Sequence, residues 1–373
     1  MDSNKSKTRI SEILTFAEIK INGSNPWDIK VNDERFYERV LADGALGAGE
    51  SYMEKWWDCD RLDEFCSRVL KANLQDKIRS NLKLISSVLL IKMFNKQSQS
   101  EAFINGQKHY DIGNDFFTNM LDKRLVYSCG YWNNANSLDE AQENKLDLSC
   151  RKLKIGPGMK VLDIGCGWGS FAKFAAEKYS VSVTGITVSE EQAELGSKIC
   201  SGLPVEIKLM DYRDLRGKYD RIVSIGMFEH VGYKNYRTYM EVVNNCLKDD
   251  GLFLLHTIGS NDSSKFNDPW FTKYIFPGSM LPSIAQIGTA IEGLFVVEDL
   301  HNFSADYDKT LMAWHHNFVE NWNAIRDQYD ETFFRMWKYY LLSCAGSFRA
   351  RKNQLWQIVL SKRGIPGGYV SVR

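Results

Sequence analysis

One stretch constrains this chain more than any other: KVLDIGCGWGSFAKFAAEKY, residues 160–179. Val161, Leu162 and Ile164 form a short apolar run that predicts a buried strand. Gly165, Gly167 and Gly169 follow, and Phe171, Phe174 and Ala175 then recur at helical spacing. A strand, a glycine turn and a helix in that order make a unit of an open α/β sheet. Such a turn lets a ligand approach the backbone where a side chain would block it. Asp163 sets a carboxylate at the carboxyl end of the strand, where these sheets bind ligands.

A dinucleotide is the obvious candidate ligand. Its pattern is G-x-G-x-x-G with an acid about 20 residues later for the ribose. This chain has G-x-G-x-G, and its next strand, VSVTGIT, ends at Thr187 where that acid should stand. Glu190 and Glu191 come too late, in the following helix. Asp163 would repel a pyrophosphate but suit a ligand carrying an amine and a sulfonium. The turn thus resembles motif I of the class I methyltransferases that bind S-adenosylmethionine. A tight turn that binds nothing is the plain alternative.

Hydrophobic content of 44% and charged content of 25% belong to a soluble globular protein, and 373 residues leave room for two domains. A formal net charge of +0 excludes a strongly basic nucleic-acid binder. The longest apolar run, LISSVLLIKMF at 84–94, is too short to span a membrane. The first residues, MDSNKSKTRISEIL, hold no secretory apolar core. The eight cysteines form no C-x-x-C pair and no His/Cys cluster, so neither a disulfide scaffold nor a metal site is indicated. The expectation is a reduced, cytoplasmic protein.

Residues 1–95 read as a mostly helical N-terminal domain with a suspected lipid or assembly role. Ile10, Ile13, Leu14 and Ala17 share one helical face. NDERFYERVLADG (32–44) offers an Asn or Asp cap and a terminal glycine. The helical style continues from residue 51 with a break near Asp58, and DIKV (28–31) reads as a short strand. From 71 to 97 six basic residues face one acid, Asp76, among interleaved apolar residues. Such a segment suits an anionic membrane surface; a solvated helix with a linker is the plainer reading. Residues 96–107 are the expected linker, and 108–373 the catalytic domain. There, strands at about 160–164, 181–187, 205–210, 220–225 and 252–258 alternate with helical stretches, which reads as a doubly wound parallel sheet. A helix (PSIAQIGTAIEGL), a strand (FVVEDL), two aromatic helices and a last strand (LWQIVLS) follow.

Four strands lead to a polar residue: Asp163, Asp211, Glu229 and His256. Side chains from separate strand ends can converge at the carboxyl edge. Thr187, Ser189 and Gln192 could serve a ribose or cap a helix, and Asp211 with Tyr212 could meet an adenine or cap a turn. Glu229 and His256 together suit proton transfer, against the alternative of a structural hydrogen bond.

The segments HYDIGNDFF (109–117), YSCGYW (127–132), VLDIGCGWG (161–169), YDRIVSIGMFEHVG (219–232) and LLHTIG (254–259) resemble the cyclopropane-fatty-acyl-phospholipid synthases, relatives of the mycolic acid cyclopropane synthases. The N-terminal part resembles the bacterial phospholipid enzyme, which has a domain the mycolate enzymes lack. The resemblance implies a Rossmann-like class I methyltransferase fold. It implies conversion of a cis double bond in a phospholipid acyl chain to a cyclopropane, with S-adenosylmethionine as co-substrate. It further implies that bound bicarbonate is the base, held by Cys129, Glu229, His256, Tyr307 and the backbone of Ile258. The donor would lie against Tyr127, Ser128, Asp163, Gly165, Gly167, Thr187, Gln192 and Tyr212. A homodimer working on unsaturated phospholipids at the inner face of the membrane is also implied. Gly130 stands where relatives often carry alanine. Two alternatives remain: a related lipid methyltransferase giving a methyl-branched or methylene-bearing chain, and a lipid-binding protein with a dead methyltransferase domain.

Overall fold

The structure is a computed structural model that describes residues 3–74 and 112–373. The described chain forms two compact groups. One holds the residues up to Phe116 together with Asn267–Pro277 and Trp314–Lys352; the other holds Phe117–Phe266, Gly278–Ala313 and Asn353–Arg373.

In the first group, the helix Ser3–Thr15 buries Ile10, Ile13 and Leu14. The helix Arg35–Asp43 ends at Gly44, as its sequence predicts. The expected break near Asp58 is itself a strand. β1 (Lys30–Val31) pairs antiparallel with β2 (Trp57–Asp58). Two buried carboxylates then draw in distant sequence. Glu50 accepts from Arg39 at 2.6 Å, Lys273 at 2.7 Å and the Tyr274 hydroxyl at 2.9 Å. Asp63 pairs with Arg61 at 2.9 Å and Arg349 at 2.6 Å. Burial opposes ionisation of Asp63, but the two guanidinium groups outweigh it and hold its carboxyl down to about 2. A single boundary at 96–107 therefore does not divide these groups. Buried acids near the N-terminus need cations from residues 273 and 349, so both stretches group with the N-terminal helices. The expected linker and residues 75–97 of the basic segment lie outside the described residues.

The second group is built on a seven-stranded sheet. Its strands are β3 (Lys160–Ile164), β4 (Ser182–Thr187), β5 (Val205–Leu209), β6 (Tyr219–Ile225), β7 (Leu247–Ser260), β8 (Val296–Asn302) and β9 (Asn353–Ser361). Their order is β5-β4-β3-β6-β7-β9-β8, and β9 runs antiparallel to both neighbours. Chain progression reverses between β3 and β6, which opens a crevice at their carboxyl ends. Successive residues bury opposite faces: Leu162, Ile222 and Phe253 enter one core, and Val161, Val223 and Leu254 the other.

His256 does not end its strand as expected. β7 continues to Ser260, because β9 supplies antiparallel partners as far as Ser260↔Asn353. Along that extension Gly259 lies beneath Trp356. A Cβ at Gly259 would stand 1.9 Å from the indole Cζ3. Gly259→Ala should displace Trp356 and lower stability by about 1–3 kcal/mol. Urea unfolding followed by tryptophan fluorescence checks this, and an unchanged midpoint would contradict it.

Candidate active site

One side of the crevice is organised around Asp163. It lies on β3 between Gly185 of β4 and Val223 of β6, and its side chain is buried. Burial pushes its carboxyl up to about 7 against the attraction of Lys145. Its Oδ2 has no hydrogen-bond partner among the described residues. Beyond Asp163 the chain turns at Gly165 (φ 80) and Gly167 (φ 54). A Cβ at Gly165 would strike the Met227 side chain at 2.6 Å, whereas one at Gly167 would meet nothing within 4 Å. Gly165 is thus required by packing, and Gly167 borders open space where a ligand can approach.

Lys145 joins this carboxylate to the YSCGYW segment. Its Nζ donates to the Ser128 hydroxyl at 2.9 Å. Burial lowers the Lys145 ammonium to about 8, while Asp122, Cys129 and Asp163 raise it. Gln142 Nε2 donates to the Ser128 carbonyl at 2.8 Å. Tyr127 packs on Phe117 at 5.2 Å, and Phe117 packs on Trp168 at 5.1 Å. At the end of β4, Thr187 Oγ1 donates to Gln192 Oε1 at 2.7 Å, and Ser189 caps the helix Glu190–Ile199. Tyr212 packs at 5.1 Å on Tyr239. The Asp211 carboxylate is engaged by the Arg213 amide and guanidinium, so its role is the cap.

The other side of the crevice follows from where β6 stops. Its last pair is Ile225↔His256, and Gly226 N–H still donates to the His256 carbonyl at 2.9 Å. The chain then turns away, and the Ile258 N–H has no strand to meet on that edge. Glu229, in the short turn Phe228–His230, takes it through Oε1 at 2.6 Å. The amide of Ile258 is therefore spoken for by Glu229. Glu229 Oε2 is buried with no partner among the described residues. Burial pushes the Glu229 carboxyl up to about 7, against hydrogen bonding from Ile258. His256 Nδ1 lies 3.2 Å from Gln357 Nε2, and its buried Nε2 has no partner among the described residues. Burial holds His256 far below the usual histidine range, and Lys145 and Lys152 add to this. The imidazole is neutral.

Thr310, Asp306 and Phe303 tie YSCGYW to this side. Thr310 Oγ1 accepts from the Gly130 amide at 3.1 Å and the Trp132 indole at 2.9 Å, and lies 3.9 Å from the fully buried thiol of Cys129. Asp306 accepts from the Trp132 amide at 3.0 Å. Tyr307 lies between these two on the helix Ala305–Glu320 and is buried. Phe303 packs on both Tyr131 and His256, at 5.5 and 5.7 Å. Gly130 sits close to the next helix, where a Cβ would stand 3.0 Å from that of Ala141.

Sequence reasoning missed the helix that carries this framework. On Leu138–Lys152, the residues Gln142, Lys145, Ser149 and Lys152 are each 0% exposed. Their spacing of three, four and three residues marks one helical face. Read locally, that polar stripe in LDEAQENKLDLSCRK marks a solvated face, so the sequence carried no signal that it turns inward.

The arrangement fits two ligands. Asp163 Oδ2 and the open space at Gly167 suit a cationic ligand laid along the turn. His256 Nε2 and Glu229 Oε2, both buried and without a partner among the described residues, suit a small oxyanion that still carries a hydrogen. Fold and site together define a class I methyltransferase that uses S-adenosylmethionine. The solved mycolic acid cyclopropane synthase CmaA1, complexed with SAH and CTAB, matches with a TM-score of 0.64 and 33% identity, over 70% of this chain and 98% of that one. The cyclopropane synthase MmaA2 from Mycobacterium tuberculosis matches with a TM-score of 0.64 and 32% identity, over 70% and 98%. The cyclopropane-fatty-acyl-phospholipid synthase of Escherichia coli K12 is 53% identical over 358 residues, 96% of this chain and 94% of its own. The family model for mycolic acid cyclopropane synthetase matches residues 97–358, and the chain belongs to that family.

Asp163 makes one property of the ligand-free protein testable. Burial raises its folded carboxyl to about 7, above the ordinary aspartate value of 3.8. The native state therefore holds a proton that the unfolded chain has released, and stability falls as pH rises from about 4 to about 7. Asp163→Asn should relieve this cost more at pH 8 than at pH 5, by on the order of 2–3 kcal/mol. Urea denaturation at the two pH values measures the difference. An equal effect at both would contradict a carboxyl raised by burial.

Proposed function

We propose that this enzyme transfers a methylene from S-adenosylmethionine to the cis double bond of an unsaturated phospholipid acyl chain, forming a cyclopropane. The observation that carries the reading is a pair of buried atoms, Glu229 Oε2 and His256 Nε2, that have no partner among the described residues and belong to a methyltransferase fold. The 53% identity to a cyclopropane-fatty-acyl-phospholipid synthase supports the same substrate class.

The donor supplies an electrophilic methyl; its bond to sulfur breaks as the alkene π pair forms the first new carbon–carbon bond. A cation is left on the neighbouring carbon. Loss of a proton from the new methyl lets that C–H pair close the ring. The chain's own residues must hold donor and alkene in line, exclude water that would trap the cation, and place a base. Tyr127, Ser128, Asp163, Gly165, Gly167, Thr187, Gln192 and Tyr212 are assigned to the donor. His256 donates from Nε2 to an oxyanion, with Cys129 and Tyr307 as further donors. Glu229 Oε2 accepts that ion's hydrogen, while Oε1 stays anchored on the Ile258 amide. Bicarbonate held there would supply the base. The same reading includes a homodimer acting at the cytoplasmic membrane surface. Among the described residues, no helix is long and apolar enough to cross a membrane.

Incubation with S-adenosylmethionine and unsaturated phospholipid vesicles should give cyclopropane proton signals. A methyl-branched or vinylic product would point to the related lipid methyltransferase, and absence of turnover with intact donor binding to a dead domain. Glu229→Gln should bind the donor normally yet lose turnover by about 10²-fold or more. Stripping bicarbonate from wild type should lower turnover, and adding it back should restore the rate. Near-normal turnover in Glu229→Gln would overturn the base assignment.

A further inference from the structure

We propose that Gln357, oriented by Lys152, is a positioning residue that fixes His256 in the tautomer bearing its hydrogen on Nε2. The assignment rests on a row of three side chains. His256 of β7 stands opposite Gln357 of β9, and His301 of β8 stands opposite Gln357 on its other side. Directly paired residues project to the same face of a sheet. Lys152, at the end of the helix Leu138–Lys152, reaches this row from above.

The hydrogens can be followed one by one. Lys152 Nζ lies 2.9 Å from His301 Nδ1 and 2.8 Å from Gln357 Oε1. As an ammonium, Lys152 has hydrogens enough to serve both and no lone pair with which to accept. The Gln357 oxygen must therefore face Lys152, since its NH₂ group there would set donor against donor. The amide nitrogen then faces the Ser149 hydroxyl at 3.1 Å and His256 Nδ1 at 3.2 Å. Ser149 spends its own hydrogen on the Lys145 carbonyl at 2.8 Å, which leaves its oxygen free to accept. Both amide hydrogens are thus used, and His256 Nδ1 must accept. A neutral imidazole carries one ring hydrogen, so it stands on Nε2.

Nε2 is the buried atom without a partner among the described residues. Lys152 thereby decides, at one residue's remove, that the site is offered a hydrogen-bond donor instead of an acceptor. This inference deepens the proposed role of His256 in holding an oxyanion and rests on it for its effect on turnover. The tautomer itself can be read without any turnover.

The test uses the full-length protein with ¹⁵N-labelled histidine. Two-bond ¹H–¹⁵N couplings distinguish the tautomers, and a His256→Asn spectrum identifies the His256 signals. Wild type should show the Nε2–H form. In Gln357→Glu the carboxylate can pair with Lys152 and accept from Nδ1, so His256 should move to the Nδ1–H form. Its kcat should fall by about a hundredfold with the affinity for S-adenosylmethionine unchanged. Gln357→Met keeps the volume without directing the ring; it should give mixed tautomers and a smaller loss, and it serves if the glutamate variant folds poorly. An Nδ1–H ring in wild type, or an Nε2–H ring retained in Gln357→Glu and Gln357→Met, would overturn the proposal. A switched tautomer with undiminished kcat would support the positioning and overturn the role given to His256.

Discussion

The site depends on one buried cation. Lys145 is fully enclosed, and an ammonium in that position is tolerated only where polar groups receive it. Ser128 Oγ accepts from it, and the charges of Asp122 and Asp163 favour its ionised form. That contact holds Ser128 against the helix Leu138–Lys152. Further along the segment, Cys129, Gly130 and Trp132 meet Thr310. The same charge favours ionisation of Asp163 and opposes protonation of His256. It thus pushes both groups toward the states their assigned tasks need, a carboxylate facing a cation and a neutral ring donating one hydrogen.

Much of the sheet was legible because each strand combines an apolar run with a punctuating turn. VLDIG, VTGIT and LFLLH could be read without knowledge of their neighbours. The length of β7 could not, because its last residues are strand only by virtue of β9, about a hundred positions away. The compact grouping was equally hidden. Nothing local to Glu50 or Asp63 shows that their cations come from Lys273 and Arg349.

The candidate site was half legible for a related reason. Polar residues that interrupt apolar runs, such as Asp163 and His256, announce themselves. The stripe of Gln142, Lys145, Ser149 and Lys152 does not, because lysine and glutamine at helical spacing ordinarily mark a solvated face. Here that face is turned inward, and the inversion is visible only once the sheet lies against it. Gln357 is a similar case. In LWQIVLS it looks like a polar interruption of a buried strand, and its meaning comes from the His256 and His301 registers on either side.

Three buried atoms without a partner among the described residues, Asp163 Oδ2, Glu229 Oε2 and His256 Nε2, explain why such a framework is needed. Each buried polar atom left unsatisfied costs about 1–3 kcal/mol. A local region carrying three of them would relax unless its surroundings were stiff. The surroundings are stiff: Asp163 sits within a central strand, Glu229 is anchored on the Ile258 amide, and His256 is held by Gln357 in the ladder between β7 and β9. The cost is thereby kept in the ligand-free protein and recovered when complementary groups bind. A reaction that passes through a carbocation needs that order of events. Polar groups placed before the cation forms can direct its single proton, whereas mobile groups or water would capture the cation itself.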